Sequence, residues 1–135
     1  MPAFTDTHCH IHFPDYALDP EKVIEAANDA GVTRLLAVGC TLADTEAAIK
    51  LAQRHKNIWA TIGLHPHEGA VYVNDSAALQ RFRDLAAKPK VVAVGETGLD
   101  FYYNHSPQAD QEKLLRFQLE LGLEHDLPFI FHVRN

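Results

Sequence analysis

Short apolar runs alternate with stretches of helical periodicity along all 135 residues, and this alternation constrains the fold more than any other feature. The runs cover residues 4–10, 35–39, 58–64, 91–96 and 129–132. After the first, Asp19 and Pro20 read as an N-cap and a first helical residue, and Val23, Ala26, Ala27 and Ala30 share one face. Gly31 stands where a left-handed residue closes a helix. Thr41 with Asp44 forms a capping-box pattern that opens a helix to about Lys56. A helix over 76–87 carries Leu79, Phe82 and Ala86 on one side. Ser106 and Pro107 are expected to cap and start a long helix, ending near His125, with Leu114, Phe117 and Leu121 inward. Such runs, separated by helices, call for a parallel sheet covered by helices: an α/β chain of four βα units and a fifth strand.

An apolar share of 47% beside 22% charged residues suits one globular domain. No apolar run approaches the ~20 residues of a membrane span, and no basic-then-apolar leader opens the chain. The expectation is a cytoplasmic protein with no membrane partner, its two cysteines, Cys9 and Cys40, reduced. The net charge of −6 argues against nucleic-acid binding through a general positive field. If the chain handles a polyanion, bound cations must supply the local positive charge.

Side chains alternate along a strand, so His8 and His10 point the same way, with Cβ atoms roughly 6–7 Å apart. Both imidazoles can reach one divalent cation, while Cys9 faces away. Asp6 shares their face, where a carboxylate can fix an imidazole tautomer. Taken alone, the motif reads first as a pair of partly exposed histidines or a cloning remnant. Position adds weight. Of nine histidines, His8, His10, His12, His65, His67, His105 and His132 all follow the C-terminal ends of strands, where α/β ligand sites are built. Glu96 and Asp100 lie on that side too. His55 and His125 fall in last helical turns, where a cation suits the macrodipole. Glu96 is expected to share a face with Val92 and Val94, a carboxylate ending an apolar strand, costly unless a cation meets it.

Four motifs, Asp6-Thr7-His8-Cys9-His10, Gly63-Leu64-His65-Pro66-His67, Gly95-Glu96-Thr97-Gly98-Leu99-Asp100, and Gln118-Leu119-Glu120-Leu121 leading to Leu127-Pro128 and His132, stand in this order. Together they resemble the TatD family of metal-dependent deoxyribonucleases, amidohydrolase-like TIM barrels, along essentially the whole chain. The resemblance implies a (β/α)8 TIM barrel, with about five of its eight strands in residues 1–135 as the N-terminal portion of a single domain. It implies two divalent metal ions (Mg²⁺, Mn²⁺ or Zn²⁺), with His8 and His10 on the first, Glu96 bridging and His132 on the second. Glu96 and His65 would be catalytic, His65 lying near the substrate phosphate, and Arg134 matches a basic residue of the family. Tyr102 and Tyr103 either stack on a base or pack their loop.

His12 stands where the family usually has an acidic residue and reads as a loop residue rather than a ligand. Val133 and Asn135 also depart from the pattern. A further histidine and an aspartate of the family's site would lie beyond Asn135. The implied activity is hydrolysis of DNA, trimming single-stranded ends 3′→5′, with this chain inactive alone. Three rivals stay open: an amide, lactone or aminoacyl-ester hydrolase of the same superfamily; a non-catalytic module that self-associates through open sheet edges; and a five-stranded flavodoxin-like fold.

Overall fold

The computed structural model describes residues 2–135. Its five strands are β1 (Phe4–Cys9), β2 (Val32–Ala37), β3 (Ile58–Ile62), β4 (Val91–Asp100) and β5 (Phe129–Arg134). They pair in parallel in strict chain order, β1-β2-β3-β4-β5. A flavodoxin-like sheet doubles back after its first strand, so that rival is excluded. Progressive order, each unit adding the next strand on the same side, is the order of a (β/α)8 barrel, here as a half-barrel.

The helices are α1 (Pro20–Asp29), α2 (Leu42–Arg54), the single turn α3 (Gly69–Tyr72), α4 (Ser76–Leu85) and α5 (Gln108–Glu124). Local chemistry sets their starts. The Asp19 carboxylate accepts the Glu21 N–H at 3.1 Å, and Pro20 supplies the preset φ of a first turn. Thr41 and Asp44 form the reciprocal capping box: the hydroxyl accepts the Asp44 N–H at 3.1 Å and the carboxylate accepts the Thr41 N–H at 2.7 Å. Ser106 does not cap α5. Pro107 takes that position, because the Ser106 hydroxyl is committed elsewhere, accepting the Ala70 N–H at 3.0 Å and donating to the His67 carbonyl at 2.7 Å. Strand bounds differ from expectation by a residue or two at β1, β3 and β5 and by more at two strands. β2 covers 32–37 rather than 35–39, and β4 continues past Glu96 to Asp100, where β5 keeps pairing with it.

The core lies between the sheet and the helices. Leu35, Ile49, Ile58, Ile62, Leu64, Phe82, Leu114 and Leu121 are buried there, each contributing about 1.5–3 kcal/mol of apolar transfer. Two buried glutamines on α5 interrupt that surface, Gln111 and Gln118, seven residues apart and so on one face. β1 and β5 are each paired on one side only among the described residues, and Phe4, Phe131 and Val133 stand exposed along them. No helix among the described residues is long and apolar enough to cross a membrane.

Candidate metal centre

Parallel strands deliver their C-terminal ends to one side of the sheet, and Glu96 is the hub of what meets there. Its Oε2 lies 3.2 Å from His8 Nε2 and 3.8 Å from His10 Nε2, and its Oε1 lies 3.1 Å from His132 Nδ1 and 4.0 Å from His65 Nε2. Strand alternation does not carry it there. Val94 is fully buried in the helix-side core, whereas Glu96 faces the histidines, so the two do not share a face. The pairing register with β5 shifts between Val94 and Thr97, and that break turns the carboxylate to the mouth of the sheet. Burial disfavours the ionised carboxylate, but His65, His8 and His132 outweigh it and hold the Glu96 pKa below the usual value.

Hydrogen bonds settle the tautomers. His10 donates through Nδ1 to the Val38 carbonyl at 2.9 Å, which leaves a lone pair on Nε2, the atom facing Glu96. The tautomer-fixing role expected of Asp6 therefore falls to a main-chain carbonyl. Asp6 instead accepts the His8 backbone N–H at 3.0 Å. Cys9 turns away and reaches the Leu36 carbonyl at 3.4 Å. On the other side of Glu96, the Asp100 carboxylate is 0% exposed and accepts three donors: His132 Nε2 at 2.8 Å, His67 Nε2 at 2.9 Å and the Tyr103 N–H at 3.1 Å. Burial pushes its pKa up, yet those three donors more than reverse this and keep Asp100 ionised far below the usual carboxylate range. With Nε2–H of His132 committed to Asp100, its Nδ1 faces Glu96 Oε1 at 3.1 Å and in the neutral ring carries the lone pair.

His65 differs from the other three. Its Nδ1 accepts the His67 N–H at 3.2 Å, so the neutral ring carries its proton on Nε2. Burial, with His67 and His132 adding to it, lowers its pKa to about 4 and keeps it neutral at pH 7. It is a donor in this arrangement. The nitrogens of His65, His67 and His132 lie within 4.8 Å of one another, as do the ligand atoms of His8, His10 and Glu96. Only the second group offers unspent lone pairs on every member; the first is tied together by Asp100 and the His67 N–H.

The donor set fits a divalent cation. The lone pair of His10 Nε2 faces Glu96 Oε2 across 3.8 Å, and His8 Nε2 and His132 Nδ1 converge on the same carboxylate at 3.2 and 3.1 Å. Ligands bonded to one cation at ~2.1 Å sit roughly 3.0–3.5 Å from each other, a range that His8 and His132 meet at 3.2 and 3.1 Å and that His10 exceeds slightly at 3.8 Å. Cys40 stands beside this group, its Sγ 3.7 Å from Glu96 Oε2. Burial first, then Glu96 and Asp44, push its pKa far up, so it stays a thiol.

The other residues singled out in the sequence are spread around this centre. Arg134 lies over the Tyr103 ring at 5.1 Å. Tyr102 is 65% exposed, with its ring against Tyr103 alone. His12 lies in a turn beyond β1, only 8% exposed, and neither ring nitrogen has a partner among the described residues. His105 packs on His67 at 4.4 Å. His55 meets Glu21 at 3.1 Å, and His125 is the C-cap of α5.

Sequence reasoning gave no role to the residues that hold the strand ends still. Gln111 accepts the Asp100 N–H at 2.8 Å and donates to the Asp100 and Ser106 carbonyls at 3.1 and 2.8 Å. Gln118 accepts the Leu64 N–H at 2.8 Å and donates back to the Leu64 carbonyl at 2.9 Å. Their signal was present: two amides at i and i+7 on the inward face of a helix, where apolar residues belong.

A family model described as TatD related DNase matches residues 5–135. A "3'-5' ssDNA/RNA exonuclease TatD" of Enterobacter lignolyticus is 38% identical over 130 residues, spanning 96% of this chain and 49% of that protein. The protein of that name from Escherichia coli is 38% identical over 120 residues, 89% of this chain and 45% of its own length. The chain thus spans about half the length of the curated relatives it matches. Among solved structures, YjjV, a TatD homologue of Escherichia coli, superposes with a TM-score of 0.86 at 34% identity, over 98% of this chain and 51% of that one. An uncharacterized amidohydrolase from Saccharomyces cerevisiae shares the fold, with a TM-score of 0.82 at 21% identity, over 100% of this chain and 49% of that one. The half-barrel is therefore that of a known family, and the chain belongs to the TatD-related DNases.

Proposed function

We propose that residues 5–135 carry the metal-binding part of a phosphodiesterase site that trims single-stranded nucleic acid from its 3′ end. One observation carries the reading: the Val38 carbonyl locks His10 into the tautomer whose lone pair faces an ionised carboxylate. The relatives' activity, by name a 3′–5′ exonuclease on single-stranded DNA and RNA, supports the substrate class and polarity.

The residues divide the work. His8, His10 and Glu96 Oε2 would hold one divalent ion, and Glu96 Oε1 with His132 Nδ1 a second, Mg²⁺, Mn²⁺ or Zn²⁺ in each case. Bound there, such ions supply the positive charge that polarises a phosphoryl oxygen and acidifies a water. They also explain how a chain of net charge −6 can engage a polyanion. Asp100 orients His132. His65, neutral with its proton on Nε2, would donate a hydrogen bond to a phosphate oxygen held at this centre. Arg134, braced on Tyr103, adds a cation at the rim, and Tyr102 beside it offers an exposed ring to a base. Two free thiols, Cys9 and Cys40, suit a reducing compartment such as the cytoplasm.

The test is calorimetric titration of the 135-residue chain with Mn²⁺ or Zn²⁺, beside a cleavage assay on a 3′-labelled single strand with and without EDTA. Binding by the parent that His10→Ala and Glu96→Ala each weaken at least ~10-fold is expected. Unchanged affinity in both variants, or shortening that persists in EDTA, refutes the reading. The exposed edges of β1 and β5, with Phe4, Phe131 and Val133 along them, also support pairing with further strands. Light scattering tests this, and a monomer at every concentration rules out pairing between copies.

A further inference from the structure

We propose that a cavity beside the metal centre receives the terminal nucleoside of the strand and excludes an end that carries a further phosphate. The inference rests on the phosphodiesterase reading above and assigns the group that lies on the 3′ side of the bond to be cut.

The cavity measures about 530 Å³, a volume typical of small-molecule sites and ample for a nucleoside. Cys40 and His65 belong both to its wall and to the neighbourhood of Glu96, so an occupant sits next to the place where a phosphate would be held. The rest of the wall comes from the turn after β1, the start of α2, and His67 and Glu68 in the turn after β3. A nucleoside whose 5′-phosphate rests on the metal centre can therefore extend its sugar and base into the cavity.

Charge decides what can follow. Asp15, Asp44 and Glu68 line the cavity, and among the described residues no lysine or arginine does. A phosphate placed here meets three carboxylates with no lysine or arginine in the wall to offset them, while the metal centre beside the cavity is taken by the 5′-phosphate. A free 3′-hydroxyl meets them as a neutral hydrogen-bond donor. A strand that continued past the cut would have to thread its next phosphate into this acidic space. The cavity thus supplies a physical reason for cutting at an end rather than within a chain.

Two aromatic groups lie in the wall. Phe13 has its ring braced by His10 at 4.5 Å and Tyr16 at 5.4 Å, and offers a face for stacking a base. His12 also lines the cavity, but it is more than nine-tenths buried and its ring nitrogens are closed off from it. It therefore senses an occupant through its packing on Phe13, ring centroids 4.9 Å apart, rather than through a hydrogen bond.

The experiment is an NMR titration of the 135-residue chain in Mg²⁺, following the ring signals of His12 and Phe13. The probes are thymidine 5′-monophosphate and thymidine 3′,5′-bisphosphate, which differ only by the phosphate the cavity should reject. The monophosphate is expected to shift both rings, with the bisphosphate binding at least ~10-fold more weakly. In Asp15→Asn/Glu68→Gln, two surface changes that leave the helix cap of Asp44 intact, the difference should shrink to within about threefold. Equal binding of the two probes by the parent, a difference that survives in the double variant, or shifts that bypass His12 and Phe13 would each overturn the proposal. Mn²⁺ broadening of the His8, His10 and His132 signals reads the metal centre separately. Its absence indicts the phosphodiesterase reading; its presence, with His12 and Phe13 unmoved by nucleotide, indicts the cavity alone.

Discussion

Replacing Asp100 by asparagine removes one charge and almost no volume, so its effect isolates the hydrogen-bond logic of the centre. In the parent, Oδ2 of Asp100 accepts from both His67 and His132, at 2.9 and 2.8 Å, while Oδ1 accepts the Tyr103 N–H at 3.1 Å. An amide cannot do both. With its oxygen on Tyr103, its NH₂ faces two ring N–H groups; flipped, its NH₂ faces the Tyr103 N–H. Each arrangement leaves a donor against a donor in a site with no exposure. A hydrogen bond to a buried charge contributes about 1.5–3 kcal/mol, and the first arrangement escapes its clashes only if the protons of both His67 and His132 move to Nδ1. Nδ1 of His132 lies 3.1 Å from Glu96 and would no longer offer a lone pair to a cation. Loss of a carboxylate behind a ligating histidine costs roughly 10–100-fold in metal affinity. Calorimetric titration with Mn²⁺ at pH 7.5, parent against Asp100→Asn, with circular dichroism to confirm the fold, measures it. An affinity within threefold of the parent in a folded variant would show that Asp100 does not set the His132 tautomer.

Other outcomes follow from the same geometry. His12 and His65 each have a folded pKa lowered to about 4, first by burial, so the folded state favours the neutral ring. Their contribution is fully present above the unfolded value near 6.5 and is lost as pH falls from there toward 4. In EDTA, lowering pH from 7 to 4.5 should therefore cost on the order of 2 kcal/mol per ring, read as a falling thermal midpoint; a flat midpoint refutes it. Gln118→Leu leaves the buried Leu64 N–H and C=O without their side-chain partners and should cost about 2–4 kcal/mol in urea unfolding; a loss under 0.5 kcal/mol would mean that strand end is held otherwise. Gly98 has φ +147°, and a Cβ there would strike the His132 carbonyl. Gly98→Ala should push β5 outward, lower the thermal midpoint and weaken Mn²⁺ binding together; a midpoint and an affinity both at parent levels would contradict this. Cys9, its pKa pushed up to about 11 mainly by burial, should react with iodoacetamide at pH 7.5 at least ~100-fold more slowly than a free thiol, by intact mass.

What a single residue type and its spacing can specify was legible without coordinates. Period-2 alternation put His8 and His10 on one face and turned Cys9 off it. Asp19-Pro20 and Thr41 with Asp44 marked helix starts, since caps act within one turn. The βα rhythm carried the histidines and Glu96 to the same ends of a parallel sheet. These are local properties, and the chain states them directly. Partners from distant segments were decided only by the fold. Val38, 28 residues away, fixes the His10 tautomer in place of the nearby Asp6, because β1 and β2 happen to lie side by side in that register. Glu96 reaches the cluster through a register shift against β5, which alternation within β4 cannot foresee. Asp100 gathers His67 and His132, and Gln111 and Gln118 clamp two strand ends, through contacts that exist only once α5 lies on the sheet. Residue chemistry names the groups that can bind a cation; the pairing of neighbouring strands determines which lone pairs are free to do so.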